Sequence, residues 1–121
     1  MNRPIHFEIH VPDPEKARPF YEATFGWKFT RWEGPEDYWL ITTGESGEGI
    51  NGGMLRSRDG QPRTVNTLEV SSVDEFTKLI VANGGRVVVP KMAIAGVGWL
   101  VFCTDPGGAI FGITHRDPRA R

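Results

Sequence analysis

Cysteine is almost missing from this sequence. The single Cys103 excludes an internal disulfide framework, and its neighbours Leu100, Val101 and Phe102 make it read as a buried strand thiol. A reducing cytoplasm is the simplest compartment for such a chain. Charge of one sign is also lacking: 14 basic against 15 acidic side chains leave a net charge of −1. That offers no long-range attraction to nucleic acid or to an anionic membrane. No apolar run approaches the roughly 18 residues a membrane span needs, and Met1-Asn2-Arg3-Pro4 leads straight into a strand pattern without a signal-peptide core. There is no Cys-x-x-Cys pair, no His-Glu-x-x-His and no Walker loop. Gly47-Glu48-Gly49-Ile50-Asn51-Gly52 spells G-x-G-x-x-G, but no helix start follows to supply the amides that would hold a pyrophosphate.

What the sequence does contain is a repeat. Sliding Pro4–Phe29 forward without a gap lays Val11 on Val70, Phe20 on Leu79, Gly26 on Gly85 and Phe29 on Val88. Each copy alone would leave a sheet face uncovered, so the two copies are expected to form one domain over residues 1–121. The first module covers about 4–57 and the second about 64–115, with the polar turn Arg58–Arg63 between them.

Within the first copy, Ile5, Phe7, Ile9 and Val11 point one way and His6, Glu8 and His10 the other, the alternation of a half-buried strand. Asp13 and Pro14 open a helix that carries Ala17, Phe20, Tyr21, Thr24 and Phe25 at helical spacing and ends at Gly26. Pro19 lies past the first turn, where a proline costs about 3 kcal/mol, and predicts a late start or a kink. Strands are expected over 27–32, 38–43 and 50–56, with the turn Gly34-Pro35-Glu36-Asp37 between the first two. In the second copy, strand 64–70 leads to the capping box Ser72–Glu75 and a helix with Val73, Phe76, Leu79 and Ile80 on one stripe, ending at Asn83-Gly84-Gly85. Strand 86–89, a long apolar connection from Pro90 to Gly98, and strands 99–104 and 109–114 follow. The connection, with Met92 and Lys91, reads as a lid over a site or as a cover for a core edge or a partner subunit. The closing stretch His115–Arg121 reads as a solvated tail.

The repeat order, Phe20-Tyr21 ahead of Phe25-Gly26-Trp27, and Asp105-Pro106-Gly107-Gly108 before Ile110-Phe111-Gly112 together resemble the vicinal oxygen chelate superfamily. Glyoxalase I, extradiol dioxygenases and the fosfomycin- and bleomycin-resistance proteins belong to it. The resemblance implies an α+β fold of two tandem βαβββ modules forming a cup-shaped mixed sheet with pseudo-two-fold symmetry, commonly in a homodimer. It also implies a divalent metal in the catalytic members, held at four inward positions. Carried over, those positions fall on His6, Val65, Gly52 and Gly112. Valine and glycine donate no side-chain ligand, whereas a zinc or non-haem iron site needs about three. The chain therefore resembles superfamily members that keep the cup without the ion, and no cofactor is expected. Zinc, nickel, iron or manganese on rebuilt ligands is the alternative.

Candidate ligand contacts are His6, Glu8 and His10 on the polar face of the first strand, Thr67 and Glu69 on the matching face of the second copy, Asn51, and the repeat-equivalent Trp39 and Trp99. At about 3.3 Å per residue, His6 and His10 stand roughly 13 Å apart, too far to grip one ion. His6 and Glu8 are close enough to converge, as an acid–base pair or as simple ligand contacts. The tryptophans serve either as aromatic walls for a flat ligand or as ordinary core. The expected function is binding of a small aromatic or amphipathic molecule without metal. The alternatives are a metal-dependent lyase, isomerase or dioxygenase, and a metal-independent enzyme using His6 or Glu8.

Overall fold

The computed structural model describes residues 1–35 and 37–121. Glu36 of the expected turn 34–37 lies outside the described residues. The chain is α+β, with two helices and eight strands among the described residues: β1 Arg3–Val11, α1 Pro14–Phe25, β2 Lys28–Arg31, β3 Tyr38–Thr42, β4 Gly52–Arg56, β5 Arg63–Glu69, α2 Val73–Ala82, β6 Arg86–Ile94, β7 Gly98–Thr104 and β8 Ile110–Arg116. It divides into two units, His6–Val65 and Met1–Ile5 with Asn66–Arg121.

In the first unit the strand order is β2-β3-β4-β1, antiparallel except where β1 runs parallel to β4. The Asp13 side chain accepts from the Glu15 amide, Pro14 opens α1, and Gly26 at φ 70° ends it in the left-handed region that glycine enters without steric penalty. Pro19 does not delay the start, because α1 runs from Pro14 through Phe25 with the proline inside. Pro19 removes a single backbone donor. The helix keeps its cap, the Arg18 ion pairs to Glu15 and Glu22, and its packing. Ile9, Ile41 and Met54 form the core, joined by Phe7, Ala17, Tyr21, Trp27 and Trp39. Tyr21 stacks on Trp27 with ring centroids 5.2 Å apart. Phe20 and Phe25, expected on the buried stripe, are 57% and 60% exposed. The inward stripe is narrower than the apolar pattern because Ala17 and Tyr21, one turn apart, already face the sheet.

In the second unit the order is β5-β8-β7-β6, again with a single parallel pair, β5 with β8. Ser72 accepts from the Glu75 amide at the start of α2, and Val70, Val73, Val101, Cys103 and Ile113 form a second core. Burial pushes the Cys103 thiol up, which keeps it protonated and unreactive. Asn2 donates its amide to the Glu69 carbonyl, so the N-terminal residues join this unit.

Two expectations are overturned here. The apolar stretch after Pro90 is not a lid, since β6 continues to Ile94 and pairs with β7 as a hairpin whose register shifts beside Pro90. A proline is tolerated in a strand at such an irregularity because the missing donor falls where the ladder is already broken. The tail is not free either. Asp117 accepts from the Trp99 indole, the Gly96 amide bonds the Ala120 carbonyl, and Ala120 is buried.

Candidate functional site

Strand β1 has two chemically distinct faces because its side chains alternate. Phe7, Ile9 and Val11 pack with the α1 core. Half-buried His6 and the buried Glu8 and His10 occupy the opposite face. A fourth residue ties them together. The Tyr38 hydroxyl donates to Glu8 Oε2 at 3.1 Å and lies 3.1 Å from His6 Nε2. The second carboxylate oxygen, Glu8 Oε1, is 3.1 Å from His10 Nε2. The result is a file of four hydrogen-bonded groups, His6–Tyr38–Glu8–His10, in a largely dry setting. Buried polar groups are costly unless bonded in this way.

Tyr38 reaches the file because of a glycine. β4 begins Gly52-Gly53, and each lies across from a β1 residue, Gly52 from Phe7 and Gly53 from Glu8. A side chain at Gly53 would overlap the Tyr38 hydroxyl. A side chain at Gly52 would strike the Phe7 carbonyl and, at 2.8 Å, the Phe7 ring. The pair thus makes room for one aromatic on each face. Of the four positions assigned from the family pattern, Gly52 is on the α1 side, under Phe7, rather than on the His6 side. The residue on the His6 side of β4 is Gly53.

The remaining candidates separate by face. Trp39 is in the α1 core with the Arg18 guanidinium 4.3 Å over its ring, and Trp99 packs on the α2 core with Lys91 4.6 Å away and its indole bonded to Asp117. Both are packing residues on the helical sides of their sheets, because a tryptophan directly following Tyr38, or directly preceding Leu100, must point to the other face. Asn51 accepts from the amide and hydroxyl of Thr43, clamping the β3–β4 connection. Glu69 is paired with Arg116. Thr67 is buried beside Gly112, with Leu100 and Phe102 on the same side, and its hydroxyl has no partner among the described residues. Val65 is fully buried. Among the described residues no three His, Cys, Asp or Glu side chains gather closely enough to hold a metal ion.

The electrostatics follow from burial. Desolvation lowers the His6 pKa below its ordinary 6.5, against a smaller opposing pull from Glu8. Burial first, and then the charge and hydrogen bond of Glu8, raise the Tyr38 hydroxyl far above its usual range, so it remains a donor. For His6 the unfolded chain binds a proton more readily than the folded one. This contribution to stability is therefore intact above pH 6.5 and is lost as the pH falls through and below that value. Urea midpoints should drop between pH 7.5 and 5.5, and His6→Gln should flatten part of that slope. An unchanged slope would remove His6 as its source.

Comparison with known proteins bears on the fold that carries this site. Residues 3–44 match the bleomycin resistance protein-like N-terminal family. A Mycobacterium bovis protein named as a glyoxylase, CFP32, is 30% identical over 115 residues, covering 91% of this chain and 44% of its own length. The Streptomyces peucetius anthracycline biosynthesis protein DnrV is 24% identical over 128 residues, covering 93% of this chain and 46% of that protein. The chain thus spans less than half the length of these curated relatives. Among solved structures, methylmalonyl-CoA epimerase from Mycobacterium tuberculosis superposes with a TM-score of 0.68 at 18% identity, over 95% of this chain and 88% of that one. A variant of the Streptomyces coelicolor methylmalonyl-CoA epimerase, solved with 2-nitronate-propionyl-CoA, gives 0.70 at 17% identity over 100% and 99%. The two βαβββ units therefore constitute a vicinal oxygen chelate fold. Its sequence is similar to the bleomycin resistance protein-like family over residues 3–44 and to the protein named as a glyoxylase over most of the chain. No described helix is long and apolar enough to cross a membrane.

Proposed function

We propose that this protein binds a small aromatic or amphipathic molecule at the polar face of β1, with His6 as the contacting group and without a metal ion. The observation that carries the reading is the hydrogen-bonded file itself. Glu8 has both oxygens occupied and His10 closes the buried end, so half-buried His6 is the member left to meet a ligand. The donor set supports the metal-free reading. His6 Nε2 is turned to Tyr38, both Glu8 oxygens are engaged, and the family position at Gly52 faces the α1 core. Three ligands for a divalent ion are not gathered among the described residues. A relative named for anthracycline biosynthesis and a family model of bleomycin-resistance type favour a flat organic ligand. The active form in this reading is a homodimer, for which exposed Phe20 and Phe25 offer apolar surface to a second copy.

A second reading, proton transfer without metal, is favoured by one feature: a histidine made neutral by burial is a base near pH 7. His6 would then be the acting group, with Glu8 behind it. A thermal-shift screen of aromatic metabolites and drugs, with sedimentation and elemental analysis on the same sample, tests both. Saturable stabilisation that His6→Ala abolishes is the expected result. Turnover lost in His6→Ala would favour the second reading, and stoichiometric zinc, nickel, iron or manganese would overturn the metal-free one.

A further inference from the structure

The protons of the file can be assigned one by one. The Tyr38 hydroxyl donates to Glu8 Oε2, which uses its single proton, so the Tyr38 oxygen can only accept from its other neighbour. That neighbour is His6 Nε2, 3.1 Å away, which must therefore bear a hydrogen. Burial keeps His6 neutral and keeps Tyr38 protonated, as the direction of both shifts requires. A neutral imidazole with hydrogen on Nε2 carries its lone pair on Nδ1. No hydrogen bond reaches that atom from the described residues. His10, at the other end, bonds Glu8 Oε1 and holds the carboxylate in register with Tyr38.

We propose that Tyr38 and Glu8 are positioning residues that lock His6 in the Nε2–H tautomer, so that Nδ1 selects ligands bearing a weakly acidic O–H, such as phenols and enols. This deepens the binding reading above and rests on it. Gly53 belongs to the same device, because any side chain there would push the Tyr38 hydroxyl off the file. An ether in place of the ligand hydroxyl has nothing to donate, so it leaves the Nδ1 lone pair unmet.

The matched probes are 1-naphthol and 1-methoxynaphthalene, titrated into the whole chain and followed by calorimetry. Alongside, the ring nitrogens of His6 are recorded by nitrogen-15 NMR. Wild type should show a pyrrole-type Nε2 and a pyridine-type Nδ1, and should prefer the naphthol by about five-fold, the range of one net hydrogen bond. Tyr38→Phe should turn His6 into a tautomer mixture and erase most of the preference while methoxynaphthalene binds as before. Gly53→Ala keeps the tyrosine ring but displaces its hydroxyl, and should do the same. A merely structural role for Tyr38 would weaken both probes equally and leave the tautomer unchanged, which would overturn the inference. So would an Nδ1–H tautomer in wild type, or equal affinity for the two probes, either of which leaves the binding reading standing. Binding of neither probe would overturn the selectivity proposed here, while ligands found in the wider screen would still uphold binding.

Discussion

Glu8→Ala should lose roughly 3 kcal/mol of stability and, with it, most of the preference for the hydroxyl-bearing ligand, since the substitution removes the acceptor on which the Tyr38 hydroxyl and the His10 ring converge. A buried donor deprived of its acceptor costs about 1–3 kcal/mol, more than the net value of the hydrogen bond. Glu8 is 4% exposed, so water has little access to replace it. Glu8→Gln should recover part of the loss. Its carbonyl oxygen can still accept from Tyr38, but its amide N–H₂ would face the His10 nitrogen. Urea midpoints for the three proteins at pH 7.5 decide the matter. A stability for Glu8→Ala within 0.5 kcal/mol of wild type, the usual size of a surface change, would mean that the file is wet in solution.

The second large effect is expected at Gly52→Ala, which should destabilise the first unit by about 2–3 kcal/mol through overpacking. The obstacles to a Cβ there are the Phe7 carbonyl and ring, and backbone cannot swing aside as a flexible side chain can. Phe7 in turn packs near Trp27, with ring centroids 5.8 Å apart, which limits its retreat. Because Gly52 faces α1, the substitution should leave the His6 tautomer unchanged in whatever fraction remains folded. Gly52→Ala and Gly53→Ala thus separate by readout, the first moving the thermal midpoint and the second moving the His6 signal. Should Gly52→Ala match wild-type stability, the assignment of Gly52 to the α1 side would be wrong.

Glycine 52 also shows where sequence reading loses resolution. The gapless repeat that aligns Val11 with Val70 also relates Gly53 to Gly112, whereas matching Gly52 to Gly112 is off by one residue. In a helix that shift would rotate a side chain by about 100°, but in a strand it moves the side chain to the other face. The error therefore changed which face the position served. Trp39 and Trp99 illustrate the same rule. Matching them uses the same one-residue offset, and strand pairing sets Trp39, opposite Met54, against Val101, opposite Ile113, although both tryptophans lie on the helical sides of their sheets. Tyr38 was passed over because its role depends on a neighbour across the sheet. The available signal was the glycine pair of β4, which leaves space for an aromatic on each face, filled by Phe7 over Gly52 on one and by Tyr38, two residues from the partner of Gly53, on the other.

The hairpin of β6 and β7 and the anchored C-terminal stretch were missed for a related reason. Pro90 argues locally against a strand, and Arg119 and Arg121 argue locally for solvent. Pairing of Met92 with Leu100 and of Ile94 with Gly98, and burial of Ala120, come from residues distant from those local signals.

The order of elements, the two helix caps, the inner face of β1 and the kinship of the two halves were contained in the sequence alone. They depend on alternation, helical spacing and cap chemistry, which act over a few neighbouring residues. Tertiary structure alone decided that a tyrosine 30 residues from Glu8 would complete the polar file, and which of two adjacent glycines would stand beneath it. Strand pairing brings such residues within 3.1 Å, and it depends on register, which neither partner strand specifies by itself.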